Sequence, residues 1–312
     1  MPRRAVIDVG TNSVKVLLAD VDDDGVRPTW ETSVQTRLGQ GFYESRILQP
    51  GPVHATALAV AGFAREARAQ GAVSIRVVAT SAARDASNAD DLLRAIRDAS
   101  GLPCEVISGE TEATWAFVGV TTHPSHQGIP LLVLDVGGGS TEFILGRRNP
   151  SEPAHVAHRS SHPVGSVRLQ ERFPPGDPPG PGELPRVRAW LDDFLRVEVL
   201  PSLGHAMATW GRPRHVLGVG GTTAILALME QGRDDFDREA IEATCFSRAR
   251  LEGNVEALWS EDLATRRRRR GLPPERADVV LFGAAIYEAV LRVMELPSLG
   301  VSTRGLRFAA LA

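Results

Sequence analysis

Two stretches of this chain share one pattern. Residues 6 to 19 read VIDVGTNSVKVLLA, and residues 133 to 146 read VLDVGGGSTEFILG. In each, an apolar run carries an aspartate (Asp8, Asp135), turns through glycine (Gly10, Gly137) and serine (Ser13, Ser140), and enters a second apolar run. Short apolar runs bounded by a Gly-rich turn read as a buried strand and the strand that follows it. Glycine permits the turn and leaves room for backbone N–H groups to approach a ligand. Successive N–H groups curled this way form an anion-binding hollow. A carboxylate at the strand end can hold a hydrated cation. A single copy would serve equally as a hairpin turn with a capping aspartate. Two copies a domain apart predict duplication: two similar lobes, each offering one phosphate loop to a shared cleft. A third element, VLGVGGTTAILALM at 216 to 229, reads as a strand, Gly220-Gly221, and a helix whose N-terminus suits a phosphate.

A chain of 312 residues accommodates two domains with ordinary cores. The net charge of -3 gives no global basic field, so nucleic acid is not expected as a partner. Cys104 and Cys245 fit neither a zinc spacing nor a disulfide framework, which points to a reducing, cytoplasmic setting. No apolar run is long enough to span a membrane, and no secretory leader is expected.

Strands and helices alternate through both halves, so the expected class is α/β. The first lobe, residues 1 to 125, opens with three antiparallel strands, a turn at 21 to 25 and the third strand from Thr29. Helices are expected at 53 to 70, 89 to 99 and 110 to 120, and strands at 74 to 80 and 104 to 108. The second lobe, 126 to 302, carries a Pro/Gly-rich loop at 174 to 185 and helices at 186 to 200, 238 to 258 and 277 to 294. A last helix over 303 to 312 is expected to pack back on the first lobe. The arginines at 266 to 270 read as a solvated helix face or a loop, with a polyanion track as the alternative.

Further pieces, in order, are RLGQG at 37 to 41, VVATSAARDASNADDLL at 77 to 93, VISGETEATWAFVGV at 106 to 120 and GLPPERADVVLFGAAI at 271 to 286. With the three glycine elements, they resemble the exopolyphosphatase and guanosine-pentaphosphate phosphohydrolase family nearly end to end. That resemblance implies two actin-like (ribonuclease H-like) lobes of the sugar kinase, Hsp70 and actin superfamily, with an interlobe cleft. It implies hydrolysis of a terminal phosphoanhydride, with Glu112 as the water-activating base and Glu142 as the second acid, serving catalysis or metal. Asp8 and Asp135 would hold Mg²⁺ or Mn²⁺. Gly10, Thr11, Asn12, Ser13, Gly137, Gly138, Gly139, Ser140, Gly220 and Gly221 would cradle phosphates, with Arg84 and Arg307. The implied ligands are polyphosphate and guanosine penta- or tetraphosphate, and a homodimer is left open. The family commonly ends this unit with a motif like SDxGLREG, whereas here it is STRGLRFA, with Thr303 in place of an acid. The alternatives are a small-molecule kinase of the same superfamily and a non-catalytic polyphosphate or alarmone binder.

Overall fold

In the computed structural model, residues 1–22, 25–150 and 152–311 are described. The expected 21–25 turn lies partly outside them, because Asp23 and Asp24 are not included. The chain divides into two compact units, Met1–Thr122 with the segment from Gly305 onward, and His123–Arg304.

The first unit is built on β1 (Arg3–Val9), β2 (Ser13–Asp22), β3 (Gly25–Gln35), β4 (Ser74–Ala79) and β5 (Cys104–Val106). Their order is β3-β2-β1-β4-β5, an antiparallel meander followed by two strands parallel to β1. Side chains alternate between faces along a strand. Ile7, Val9, Val14, Val16 and Val77 therefore pack beneath α1 (Pro50–Ala69) and α3 (Ala89–Ser100), beyond the single-turn α2 (Ser81–Asp85). Val6, Leu17 and Val78 line the other face. There they meet Trp115 of α4 (Gly109–Val120) and Leu306, Phe308 and Leu311 of the C-terminal helix. Asp8 shares the face of Val6, at the end of the strand. Pro50 starts α1 where a missing N–H costs nothing, and Gly101, at φ 72°, ends α3.

The second unit contains β6 (Leu131–Val136), β7 (Thr141–Arg147), β8 (His155–His162), β9 (His215–Val219), β10 (Cys245–Ser247) and β11 (Ser298–Ser302). The order is β10-β11-β9-β6-β7-β8. Without the edge strand β10, this is the first unit's sheet again: three antiparallel strands, then two parallel to the first. The register repeats too, with Asp8 opposite Lys15 and Asp135 opposite Glu142. The chain is thus an α/β protein of two ribonuclease H-like, actin-like units.

The second unit's helices are α5 (Ser166–Arg172), α6 (Glu183–Phe194), α7 (Leu200–Trp210), α8 (Gly221–Gln231), α9 (Arg238–Glu242), α10 (Arg248–Ser260), α11 (Leu263–Arg266) and α12 (Val280–Val293). Every residue of α12 from Val280 to Leu291 is buried, so it is a core helix, and its buried charge, Glu288, is met by Arg188 of α6.

Three differences from the sequence reading have physical causes. The expected helix at 238 to 258 is interrupted by β10, and Ser247 caps a new helix by accepting from the Arg250 N–H. The expected helix at 186 to 200 runs through one π-turn at Leu195–Val199 into α7, where Pro201 withdraws a donor. Finally, the arginine run ends α11 and continues as a turn with Arg267, Arg268 and Arg270 exposed, but two of its members are tied into the protein. Arg266 is buried and donates to the carbonyls of Ala277, Leu258 and Glu261, while Arg269 grips Glu261 through two 2.7 Å bonds.

Candidate active site

In the first unit, β1 delivers Asp8 to the start of a turn closed by the Gly10 N–H donating to the Ser13 carbonyl at 3.1 Å. The carbonyls of Thr11 and Asn12 point back into the protein. They accept from Gly39 (2.7 Å), Thr36 (3.2 Å) and Arg37 (3.0 Å) on the segment that follows β3. The turn's carbonyls are therefore satisfied from one side, which suits its N–H groups to an anion on the other. The same segment carries the RLGQG motif, and a Cβ at Gly39 would lie 2.4 Å from the Thr11 methyl group.

Asp8 is only 4 % exposed. Its Oδ1 has no hydrogen-bond partner, nor does the buried Asn12 Nδ2, and Lys15 Nζ stands 3.9 Å from Oδ2. Burial pushes the Asp8 carboxyl above the usual carboxylate range, with Lys15 and then Arg307 pulling it partly back. Arg307 itself is engaged within this unit, donating to the Val16 carbonyl at 2.7 Å and lying 3.4 Å from Glu31.

Glu112 comes from α4, whose N-terminus is capped by Ser108 accepting from the Thr111 N–H. The two acids of the first turn are two residues apart, so the helix sends them to different faces. Glu110 is exposed, whereas Glu112 is 7 % exposed and joins the core face with Ala113, Ala116 and Phe117. A carboxylate in a core position requires a partner. Arg84 of α2 provides it at 3.0 Å, and the same guanidinium nitrogen is fixed by the Ile107 carbonyl at 3.1 Å. The structure thus brings Arg84 and Glu112 together.

The second unit repeats the turn, with the Gly137 N–H donating to the Ser140 carbonyl at 2.9 Å. Again the segment after the third strand backs it. Ser166 donates to the Gly137 carbonyl, Val167 and Arg168 donate to that of Gly138, and Arg168 Nε donates to that of Gly139 at 2.8 Å. A Cβ at Gly165 would lie 2.5 Å from the Gly138 backbone, so only glycine lets the two segments meet. Glu142 is 1 % exposed and accepts from both Ser140 and Ser161 hydroxyls at 2.7 Å. Asp135 faces the third glycine element. Gly220 adopts φ +98°, and a Cβ there would come within 2.9 Å of the Asp135 carboxylate. Gly221 begins α8 against the guanidinium of Arg276. Tyr287 locks this corner. Its buried hydroxyl donates to the Val219 carbonyl at 2.7 Å and stands 3.4 Å from the Val136 N–H, and burial raises its pKa.

Gly39, Ser161, Gly165, Arg168, Arg276 and Tyr287 were not assigned roles from sequence. A signal existed for the backing segments: Gly39 follows Gly10 at nearly the interval that separates Gly165 from Gly137. At the altered tail, Thr303 donates to Glu242 of α9 at 2.5 Å, with Arg304 at 3.5 Å and His123 at 4.0 Å from the same carboxylate. The carboxylate beside Thr303 thus arrives from another element of the unit.

The model of the Ppx/GppA phosphatase family matches residues 17–310. The chain belongs to the Ppx/GppA phosphatase family. Among its relatives, exopolyphosphatase 2 of Mycobacterium tuberculosis is 33 % identical over 305 residues, covering 94 % of this chain and 91 % of the relative. A solved exopolyphosphatase-like protein superposes with a TM-score of 0.87 at 29 % identity, covering 99 % of this chain and 96 % of that one. The Ppx/GppA family member of Aquifex aeolicus does so with a TM-score of 0.78 at 27 % identity, with the same coverage.

The unpartnered oxygen of Asp8 is of a type that suits a magnesium ion. Among the described residues no cluster of three or more His, Cys, Asp or Glu side chains could hold a metal unaided. Mg²⁺ needs no such cage, because it takes one or two carboxylates and keeps waters or phosphate oxygens. The partnerless Asp8 Oδ1 offers a donor of that kind.

Proposed function

We propose that this Ppx/GppA protein is a Mg²⁺-dependent phosphohydrolase that removes the terminal phosphate of inorganic polyphosphate, with Glu112 as general base. The observation that carries the reading is the Arg84-paired Glu112 carboxylate, held on the core face of a capped helix in the same unit as a phosphate-type loop. The names of the relatives agree with the substrate class.

In this reading Glu112 accepts the proton of the attacking water as a new P–O bond forms. The bond from the terminal phosphorus to the bridging oxygen breaks, and the shortened chain leaves with the electron pair. Phosphoryl transfer depends mostly on positioning and charge stabilisation. Arg84 holds the base in one orientation through its bonds to Glu112 and Ile107. The loop N–H groups of Thr11–Ser13 and Gly138–Ser140 bind phosphate oxygens, and the Ser140 and Ser161 hydroxyls fix Glu142. Asp8 in the first unit, and separately Asp135 and Glu142 in the second, are the residues that would hold Mg²⁺, which supplies charge neutralisation on the phosphates when bound. Guanosine pentaphosphate carries the same type of terminal anhydride and is the second candidate substrate.

The test is a phosphate-release assay on tripolyphosphate, long-chain polyphosphate and guanosine pentaphosphate, run with Mg²⁺ and then with EDTA. Release from polyphosphate that stops in EDTA and returns with Mg²⁺ is expected. Release from neither polyphosphate would overturn the reading, and release undiminished by EDTA would remove the metal from it.

A further inference from the structure

Below the second glycine loop lies a group of arginines and rings that the proposed chemistry does not use. Arg172 closes α5, one helical turn beyond Arg168, whose Nε bonds the loop carbonyl of Gly139. Residues four apart share a helix face. The Arg172 guanidinium lies 4.8 Å from the Trp190 ring centre and 5.6 Å from that of Phe173. Arg186 of α6 approaches the same Phe173 ring at 5.4 Å. Trp190 is itself wedged between Phe173 and Phe194, at ring separations of 5.8 and 5.2 Å.

Both arginines are exposed, and among the described residues neither is paired with a carboxylate. Some arginines of the unit are neutralised, Arg188 by Glu288, Arg292 by Asp192, Arg269 by Glu261 and Arg250 by Glu230, whereas Arg172 and Arg186 are held by rings instead. The nearby Glu183 is occupied by the N–H groups of Gly176 and Gly180. A guanidinium held against a ring keeps its charge and leaves its N–H edge available, with less side-chain freedom left to lose on binding. Two such groups bound to one aromatic cluster form a pre-organised anion site, and planar N–H edges suit phosphate oxygens.

We propose that Arg172 and Arg186, mounted on Phe173 and Trp190, form a secondary subsite for the inner phosphates of a long polyphosphate chain. This rests on the polyphosphate reading above. Polyphosphate is favoured over nucleic acid because the α5 helix that carries Arg172 is bonded directly to the phosphate-type loop through Val167 and Arg168.

The test is a double variant, Arg172→Ala with Arg186→Ala, titrated with long-chain polyphosphate, tripolyphosphate and single-stranded DNA of matched phosphate number. The titrations use the Glu112→Gln background, so binding is read without turnover. Removing both exposed charges together should weaken long-chain binding about 10-fold, with a shallower salt dependence, and shift tripolyphosphate by less than about two-fold. Replacement by lysine should restore only part of the loss. Equal weakening of both polyphosphates, or none, would overturn the subsite. So would DNA binding that depends on the two arginines as strongly. Failure of the wild type to release phosphate would count against the hydrolase reading alone, because the titration is independent of it.

Discussion

Asp8 shows how a single side chain can be arranged for something other than stability. Its Oδ1 is buried without a partner, and Lys15 at 3.9 Å compensates only partly. Burial raises its folded-state pKa, so the folded protein holds this proton to higher pH than the unfolded chain does. The resulting cost is absent below the ordinary aspartate pKa and is fully present once pH exceeds the raised folded value. Asp8→Asn should therefore raise the melting temperature at pH 7.5 in EDTA by about 2–6 °C, and the gain should shrink as pH falls towards about 4. Added Mg²⁺ should narrow the gap by stabilising only the wild type. A variant no more stable than the wild type at pH 7.5 would sink this account of Asp8. The sequence already placed this aspartate at a strand end beside a glycine turn. It did not show that one oxygen is left without a bond, because that depends on the whole face packed around it. The same holds for Glu112. The family resemblance pointed to it, but the Arg84 bond joins residues 28 positions apart and exists only in the folded unit.

At the scale of elements, each glycine loop is half of a device whose other half follows the third strand. The first strand, the turn and the return strand were legible because apolar runs and glycines mark them directly. Strand β8 and helix α5 were not. The HVAHRSSH sequence of β8 is polar because that strand lies at the sheet edge, and α5 is too short to show a period. β10 was missed for a similar reason, since three residues within a helix-like pattern carry little signal. The backing segment makes a sharp prediction. Gly165→Ala places a methyl group about where the Gly138 backbone sits, and neither segment can yield as a flexible side chain would. Urea unfolding should show a loss of about 1–3 kcal/mol, with a raised KM for polyphosphate. Gly253→Ala, in α10 with open space around it, should instead be neutral or stabilising by up to about 1 kcal/mol. If both variants behaved alike, the close approach would have no energetic meaning.

For the whole molecule, the repeat read in two short stretches extends to strand order, strand direction and register in both units. An aspartate pairs across the hairpin with Lys15 in one unit and with Glu142 in the other. Duplication kept the scaffold and the aspartate while the facing residue changed charge, so the two copies are chemically unequal. Among the described residues, only the second adds a Gly220-Gly221 corner closed by Tyr287, and only the first carries the Arg84–Glu112 pair. That inequality underlies the division of labour proposed here, with the base in the first unit and the acid Glu142 in the second.

Glu112→Gln tests the central claim most directly, because the amide keeps the size and the hydrogen bond to Arg84 but cannot take a proton. Tripolyphosphate turnover with Mg²⁺ should fall by roughly two to four orders of magnitude, while tripolyphosphate binding and the melting temperature stay close to the wild type. Turnover retained within a few-fold would contradict the role given to Glu112, and with it the mechanism.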